Sequence, residues 1–221
     1  MGIGERRRRE REARRNLILD TARRLFFRDG FQAVTVERIA REAELAKGSL
    51  YLHFRGKEEI YVEILLADIE AFHRRIASLD AAGGTAAARL LQVAGLYRDV
   101  FLRSPELFRI MMSFQLYPER TALPEDLVRR LRQSMKKNVA VIERIFAQGI
   151  DCGEFASRHG PFLCRKAFWG LLNGILSHDL YAAAEEKREE RIRATLEAGL
   201  DVFMRGMKPG SADGGAAGAA G

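Results

Sequence analysis

The chain has 221 residues, 47% of them apolar and 30% charged, and a net charge of +7. That apolar share can fill a sizeable core in one or two domains and excludes a disordered or low-complexity protein. Two cysteines, Cys152 and Cys164, give no disulfide framework and fit a reducing compartment, no long uninterrupted apolar run offers a membrane span, and no apolar segment follows the N-terminal arginines as a secretory signal requires.

In chain order, the run Arg6, Arg7, Arg8, Arg9, Arg11, Arg14 and Arg15 is interrupted by Glu10 and Glu12 and precedes the first apolar position, Leu17. Residues 1–11 read as a basic flexible arm, either one that seeks phosphates or a narrow minor groove or a solubilising tail. Leu17 to Asp29 follows as a helix with Ile18, Ala22, Leu25 and Phe26 on one face, stopped at Gly30. Thr35 can cap the next helix, whose apolar positions Val36, Ile39, Ala40 and Ala43 share a face. After a turn at Glu44 and Leu45, a further helix starts near Ala46 and turns Leu50 and Phe54 inward, leaving Lys47, Gly48, Ser49, Tyr51 and His53 to solvent or a partner. Such a helix suits the major groove of DNA.

Lys57-Glu58-Glu59-Ile60 opens a long helix to about Leu79, with acidic residues in its first turn. A small-residue break, Ala81 to Thr85, precedes helices near 86–102, 105–116, 124–149, 161–183 and 187–207, three of them entered through Pro105, Pro124 and Pro161. No segment alternates apolar and polar residues as a strand does, so the fold is all-α with nine helices. The Gly/Ala-rich tail, 209–221, reads as disordered. Residues 1–57 hold 15 basic and 8 acidic side chains, so the whole net charge lies there, the electrostatic footprint of a nucleic-acid-binding module joined to a neutral body.

The residues Thr35-Val36, Ile39-Ala40, Ala43, Lys47-Gly48-Ser49-Leu50-Tyr51, His53-Phe54 and Lys57-Glu58 resemble the N-terminal signature of the TetR family of bacterial transcription regulators, over roughly residues 12–66. Two positions depart from that pattern. Glu44 stands where a turn glycine is usual, which predicts a left-handed non-glycine residue at a cost of about 1 kcal/mol. Ala46 stands in place of a serine cap, a loss of about 1 kcal/mol. The resemblance implies a helix-turn-helix DNA-binding domain over 12–60, with the motif itself at 35–54, and a ligand-binding and dimerisation domain over 61–208. It also implies that Thr35, Tyr51, His53 and Lys57 fix DNA phosphates with help from the Gly48 N–H, Tyr51 having packing against the first helix as its alternative. Lys47 and Ser49 are then the base readers, lysine as a donor to guanine and serine as a contact for several bases.

In the family the last two helices form the two-fold interface, which here draws on Ala167, Phe168, Leu171, Leu172, Ile175 and Leu176 with Ile192, Thr195, Leu196, Gly199, Leu200 and Phe203, the small residues Gly170, Gly174 and Gly199 allowing close approach. Completion of the monomer core is the alternative for those stripes. Phe101, Phe108, Met111, Met112, Phe114 and Tyr117, with Phe146, Trp169, Asn173 and His178, are either a mostly apolar effector pocket or ordinary core. Asp151, Cys152, Glu154, His159 and Cys164 are ligand types whose spacing fits no common zinc pattern, and no catalytic constellation, cofactor motif or Gly-rich phosphate loop is visible. The expected protein is a cytoplasmic, nucleoid-associated homodimer, a repressor released from a palindromic operator by a small apolar or aromatic effector. Activation, or control by a protein partner without an effector, are the other forms this function could take.

Overall fold

A computed structural model describes residues 2–105, 108, 112, 123–156, 159–180 and 187–209. Among these residues there are eight helices and no strand: α1 (Ile3–Asp29), α2 (Val36–Glu42), α3 (Lys47–Tyr51), α4 (Lys57–Ala81), α5 (Ala86–Arg103), α6 (Glu125–Asp151), α7 (Pro161–Leu180) and α8 (Arg188–Met207). The expected helix over 105–116 lies outside the described residues except for Pro105, Phe108 and Met112, as does the tail beyond Pro209.

The N-terminus differs from its sequence reading. Residues 3–16 are not an irregular arm but the opening four turns of α1, a single helix of 27 residues. Apolar periodicity could not reveal this segment, because among the described residues it buries nothing before Ile18. Its helicity rests instead on composition: Arg, Glu and Ala are strong helix formers, and Arg6–Glu10 (3.3 Å) and Arg8–Glu12 (3.9 Å) pair at i,i+4.

Contacts gather the chain into two units, Met1–Ala71 with Glu106–Lys136, and Phe72–Pro105 with Lys137–Gly221. The division between these units falls inside α4, between Ala71 and Phe72. The reason is that the first turns of α4 belong to the headpiece core. Tyr61, Ile64 and Leu65 are buried, Tyr61 packs edge-on to Phe26 at 5.1 Å, Arg23 on α1 donates to both oxygens of Asp68 at 2.8 Å, and Arg15 pairs with Glu63. Ile18, Ala22, Leu25 and Phe26 of α1, Ile39 and Ala40 of α2, and Leu50 and Phe54 complete that core.

In the second unit the N-terminus of α5 is closed twice over. Thr85 Oγ1 accepts from the Ala88 N–H at 3.2 Å, and the Glu154 carboxylate accepts from Ala86 and Ala87 N–H at 2.6 and 2.7 Å. Those donors have no partner within the helix, so Glu154 satisfies two of them and adds a negative charge where the macrodipole favours it. Close approach nearby depends on Gly149, where a Cβ would overlap the Phe155 ring and lie 2.8 Å from the Ala86 Cβ.

The apolar stripes of α7 and α8 contribute many of their side chains to this unit's own core. Phe168, Leu172, Leu176 and Ile192 are fully buried, with Leu196 and Leu200 nearly so, and Gly199 meets Ile175 and Leu171 of α7. What α7 leaves in solvent is a second stripe, Leu163, Ala167, Gly170 and Gly174 at i, i+4, i+7 and i+11, beside Phe162. On α8 the matching exposed positions are Thr195, Ala198 and Val202.

Candidate nucleic-acid interface and body core

The helix-turn-helix is assembled by local bonds that its sequence encodes. Thr35 Oγ1 accepts from the Arg38 N–H at 3.2 Å and starts α2, and Arg38 reaches back to Asp29 at 2.7 Å. Glu44 occupies the left-handed region at φ 54°, as the missing turn glycine predicts, and the Leu45 N–H donates to Ala40 at 2.9 Å. Ala46 offers α3 no side-chain cap. Leu50 and Phe54 turn inward, leaving Lys47, Gly48 and Tyr51 exposed and Ser49 and His53 half-exposed. Tyr51 is 49% exposed, with the Lys47 ammonium 5.9 Å from the centre of its ring. Nothing lies within 4 Å of a Cβ built on Gly48, so a DNA backbone could approach the chain closely there.

Two of the expected contacts carry internal partners. Lys47 forms an ion pair with Glu37 of α2, which raises the lysine's pKa and lowers that of the carboxyl, each mainly through their shared hydrogen bond. Lys57, expected on a phosphate, instead turns its ammonium onto the α1–α2 loop. It donates to the main-chain oxygens of Val34 (3.0 Å), Phe31 (3.1 Å) and Gln32 (3.5 Å) and sits 4.6 Å over the Phe31 ring. Three donor protons meet three acceptors, so the geometry makes Lys57 a brace for the loop that precedes α2.

His53 lies where α3 ends, beside α1. Burial, then the charges of Arg11, Arg14 and Arg15, lower its pKa, so the imidazole is neutral near pH 7 and can donate one N–H. Leu52, unremarked in the sequence, is 73% exposed next to it.

The expected effector residues divide. Trp169 and Asn173 come together around Tyr97 of α5, a residue the sequence reading passed over although it precedes Phe101 by one turn on the same buried face. Tyr97 donates to Asn173 Oδ1 at 2.7 Å and its ring lies 4.5 Å from that of Trp169; burial pushes its phenol pKa up. Among the described residues, Trp169 Nε1 and Arg188 Nε are buried without a hydrogen-bond partner, and the Arg188 guanidinium sits 5.4 Å over Phe101. Phe146 belongs elsewhere, in a core cluster with Phe155, Phe168 and Phe203. Phe108 is buried, Met112 is half-exposed, and Met111 lies outside the described residues, as do Phe114 and Tyr117. Glu154 is held as the α5 cap, and the described residues contain no group of three metal-ligating side chains.

Comparison with known proteins matches residues 18–64 to the family described as "Bacterial regulatory proteins, tetR family". The uncharacterized HTH-type transcriptional regulator YfiR of Bacillus subtilis is 24% identical over 184 residues, 80% of this chain and 84% of that protein. The HTH-type transcriptional repressor KstR of Mycolicibacterium smegmatis is 30% identical over 123 residues, 55% of this chain and 60% of that one. In fold, FadR of Bacillus subtilis, solved in complex with stearoyl-CoA, aligns with a TM-score of 0.69 at 19% identity, covering 86% of this chain and 98% of that one. Residues 18–64 are thus matched by sequence to the tetR family of bacterial regulatory proteins, and the helical fold is that of solved regulators of the TetR family.

Proposed function

We propose that the protein is a ligand-responsive transcriptional repressor, a homodimer that places α3 of each protomer in successive major grooves of a palindromic operator and releases the DNA when a small molecule enters the body. The observation that carries this reading is the solvent face of α3, with Lys47, Gly48, Ser49 and Tyr51 available within residues 1–57, the segment that accounts for the chain's net positive charge. Lys47 and Ser49 read bases, while Tyr51, His53, the Thr35 hydroxyl and the Gly48 N–H hold phosphates. Lys57 contributes by bracing the loop that carries Thr35.

Exposed apolar side chains on α7 and α8, Phe162, Leu163 and Val202 among them, support a two-fold interface there. The Tyr97–Asn173–Trp169 group supports an effector site. Its orphaned indole N–H favours an effector that joins an apolar body to a hydrogen-bond acceptor. The repressor KstR and the acyl-CoA complex of FadR are consistent with both halves of the proposal. No helix among the described residues is long and apolar enough to cross a membrane, and an operator-bound repressor works at the nucleoid.

Mobility shift with DNA flanking the protein's own gene tests the reading. The expected result is a complex that forms on that DNA in preference to a scrambled duplex and dissociates when an acyl-chain or aromatic acid is added. Equal affinity for both duplexes would refute operator recognition.

A further inference from the structure

Because residues 3–16 are helical, their arginines hold fixed positions. Arg7, Arg11 and Arg14 stand at i, i+4 and i+7, one row along about 10 Å of helix. That row does not face open solvent on all sides. Together with Glu10 it forms one wall of a cleft of about 370 Å³ whose other wall is Leu52 and His53, at the end of α3. Three guanidinium groups and one carboxylate line the space, so its field is positive, and Glu10 is already partnered by Arg6 at 3.3 Å. The His53 ring faces the same arginines and, being neutral, can add an N–H donor without adding repulsion.

We propose that this cleft seats the DNA backbone, with Arg7, Arg11, Arg14 and His53 holding one or two phosphates beyond those reached by α3. This rests on the headpiece being a DNA reader and extends that reading to a second, sequence-blind contact in each half-site. The helical state of the segment decides the mode of contact. A helix with its side chains is about 10–12 Å across and does not enter a minor groove about 6 Å wide, so the segment lies along the backbone and reads no bases. Guanidinium forks suit phosphate oxygens bidentately.

The test uses the full-length protein and two duplexes, one from the DNA flanking its own gene and one scrambled, with affinity measured across a series of salt concentrations. Arg7→Ala/Arg11→Ala/Arg14→Ala lies on exposed positions and introduces a better helix former, so circular dichroism should be unchanged. The charge-matched control is Arg129→Ala/Arg132→Ala/Lys136→Ala, on exposed positions of α6. The cleft variant should bind both duplexes about tenfold or more weakly, keep the ratio between them, and lower the slope of log affinity against log salt by about 1–2, as the loss of one or two phosphate contacts requires. In the same experiment, inorganic phosphate at constant ionic strength should shift the His53 ring resonances of the wild type and not those of the variant.

An unchanged slope and affinity in the cleft variant, or an equal loss in the α6 control, overturns the proposal. Failure of the wild type to bind either duplex is a different result, since it removes the DNA-reading headpiece itself and this contact with it.

Discussion

Replacing Lys57 with methionine separates two roles that the sequence could not distinguish. Methionine keeps an apolar stem but removes the ammonium, so the carbonyls of Val34 and Phe31 lose donors at 3.0 and 3.1 Å, Gln32 loses a weaker one, and Phe31 loses the cation 4.6 Å above its ring. A charged donor is worth about 1.5–3 kcal/mol when buried. The site is only half-buried and its carbonyls can regain water, so about 1 kcal/mol for each of the two good bonds is appropriate. The ring contact adds about 0.5–1 kcal/mol. The expected loss is about 2–3 kcal/mol, a fall in the headpiece melting temperature on the order of 10 °C for a unit of this size. Thermal unfolding should detect that fall, and hydrogen exchange should show the amides of residues 31–38 opening first. DNA binding measured well below the transition should keep its salt slope. The opposite pattern, stability within about 0.5 kcal/mol of wild type and a slope lowered by about 1, would return Lys57 to the phosphate and refute the brace.

Gly149→Ala should destabilise the body by about 1–3 kcal/mol, read as a lower denaturant midpoint, because its methyl would overlap the Phe155 ring; an unchanged midpoint would mean that the α5–α6 approach is looser than described. Lys47→Ala should relax discrimination between operator and scrambled DNA, whereas Glu37→Gln, which frees Lys47 and removes a carboxylate beside it, should strengthen binding several-fold; weaker binding by Glu37→Gln would show that the pair orders Lys47 for DNA. His53 has a folded pKa below its ordinary 6.5, so the unfolded chain takes up the proton first and headpiece stability should fall as pH drops from about 7.5 through 6.5 toward the lowered value. His53→Gln should flatten that dependence, and identical pH profiles in the two proteins would contradict it. Leu163→Glu with Val202→Glu should yield a folded monomer in sedimentation, while Leu196→Glu should unfold the body; a persistent dimer in the first variant would place the two-fold contact elsewhere.

Features decided within a few residues were legible in the sequence. Thr35 as a cap and Leu50 with Phe54 turned inward follow from side-chain type and spacing along one short segment, and Glu44 in the left-handed region follows from the resemblance, which puts a turn glycine at that position. What was not legible depends on partners far along the chain or on buried area that does not exist. The acceptors of Lys57 lie 23 to 26 residues upstream, and Glu154 caps a helix that begins 68 residues before it. The first four turns of α1 lack an apolar face, so the pattern that reveals helices was silent there. On α7 and α8 the apolar stripes were visible, but a stripe does not state whether it meets its own chain or a second copy. Phe168 and Leu172 belong to the first kind and Leu163 to the second set of exposed positions.

The pairing of charges inside the headpiece has a kinetic consequence. Arg15 is matched by Glu63, Arg23 by Asp68, Arg28 and Arg38 by Asp29, Lys47 by Glu37, and Arg55 by Glu59 and Asp126. Fields from such pairs cancel within a few ångströms, so the formal charge of the globular part overstates the pull it exerts on a distant polyanion. The long-range attraction falls instead to the arginine row of the α1 extension. A chain starting at Leu17 would keep the fold and base contacts of the headpiece yet encounter DNA more slowly, and its association rate would depend less steeply on salt than that of the full chain.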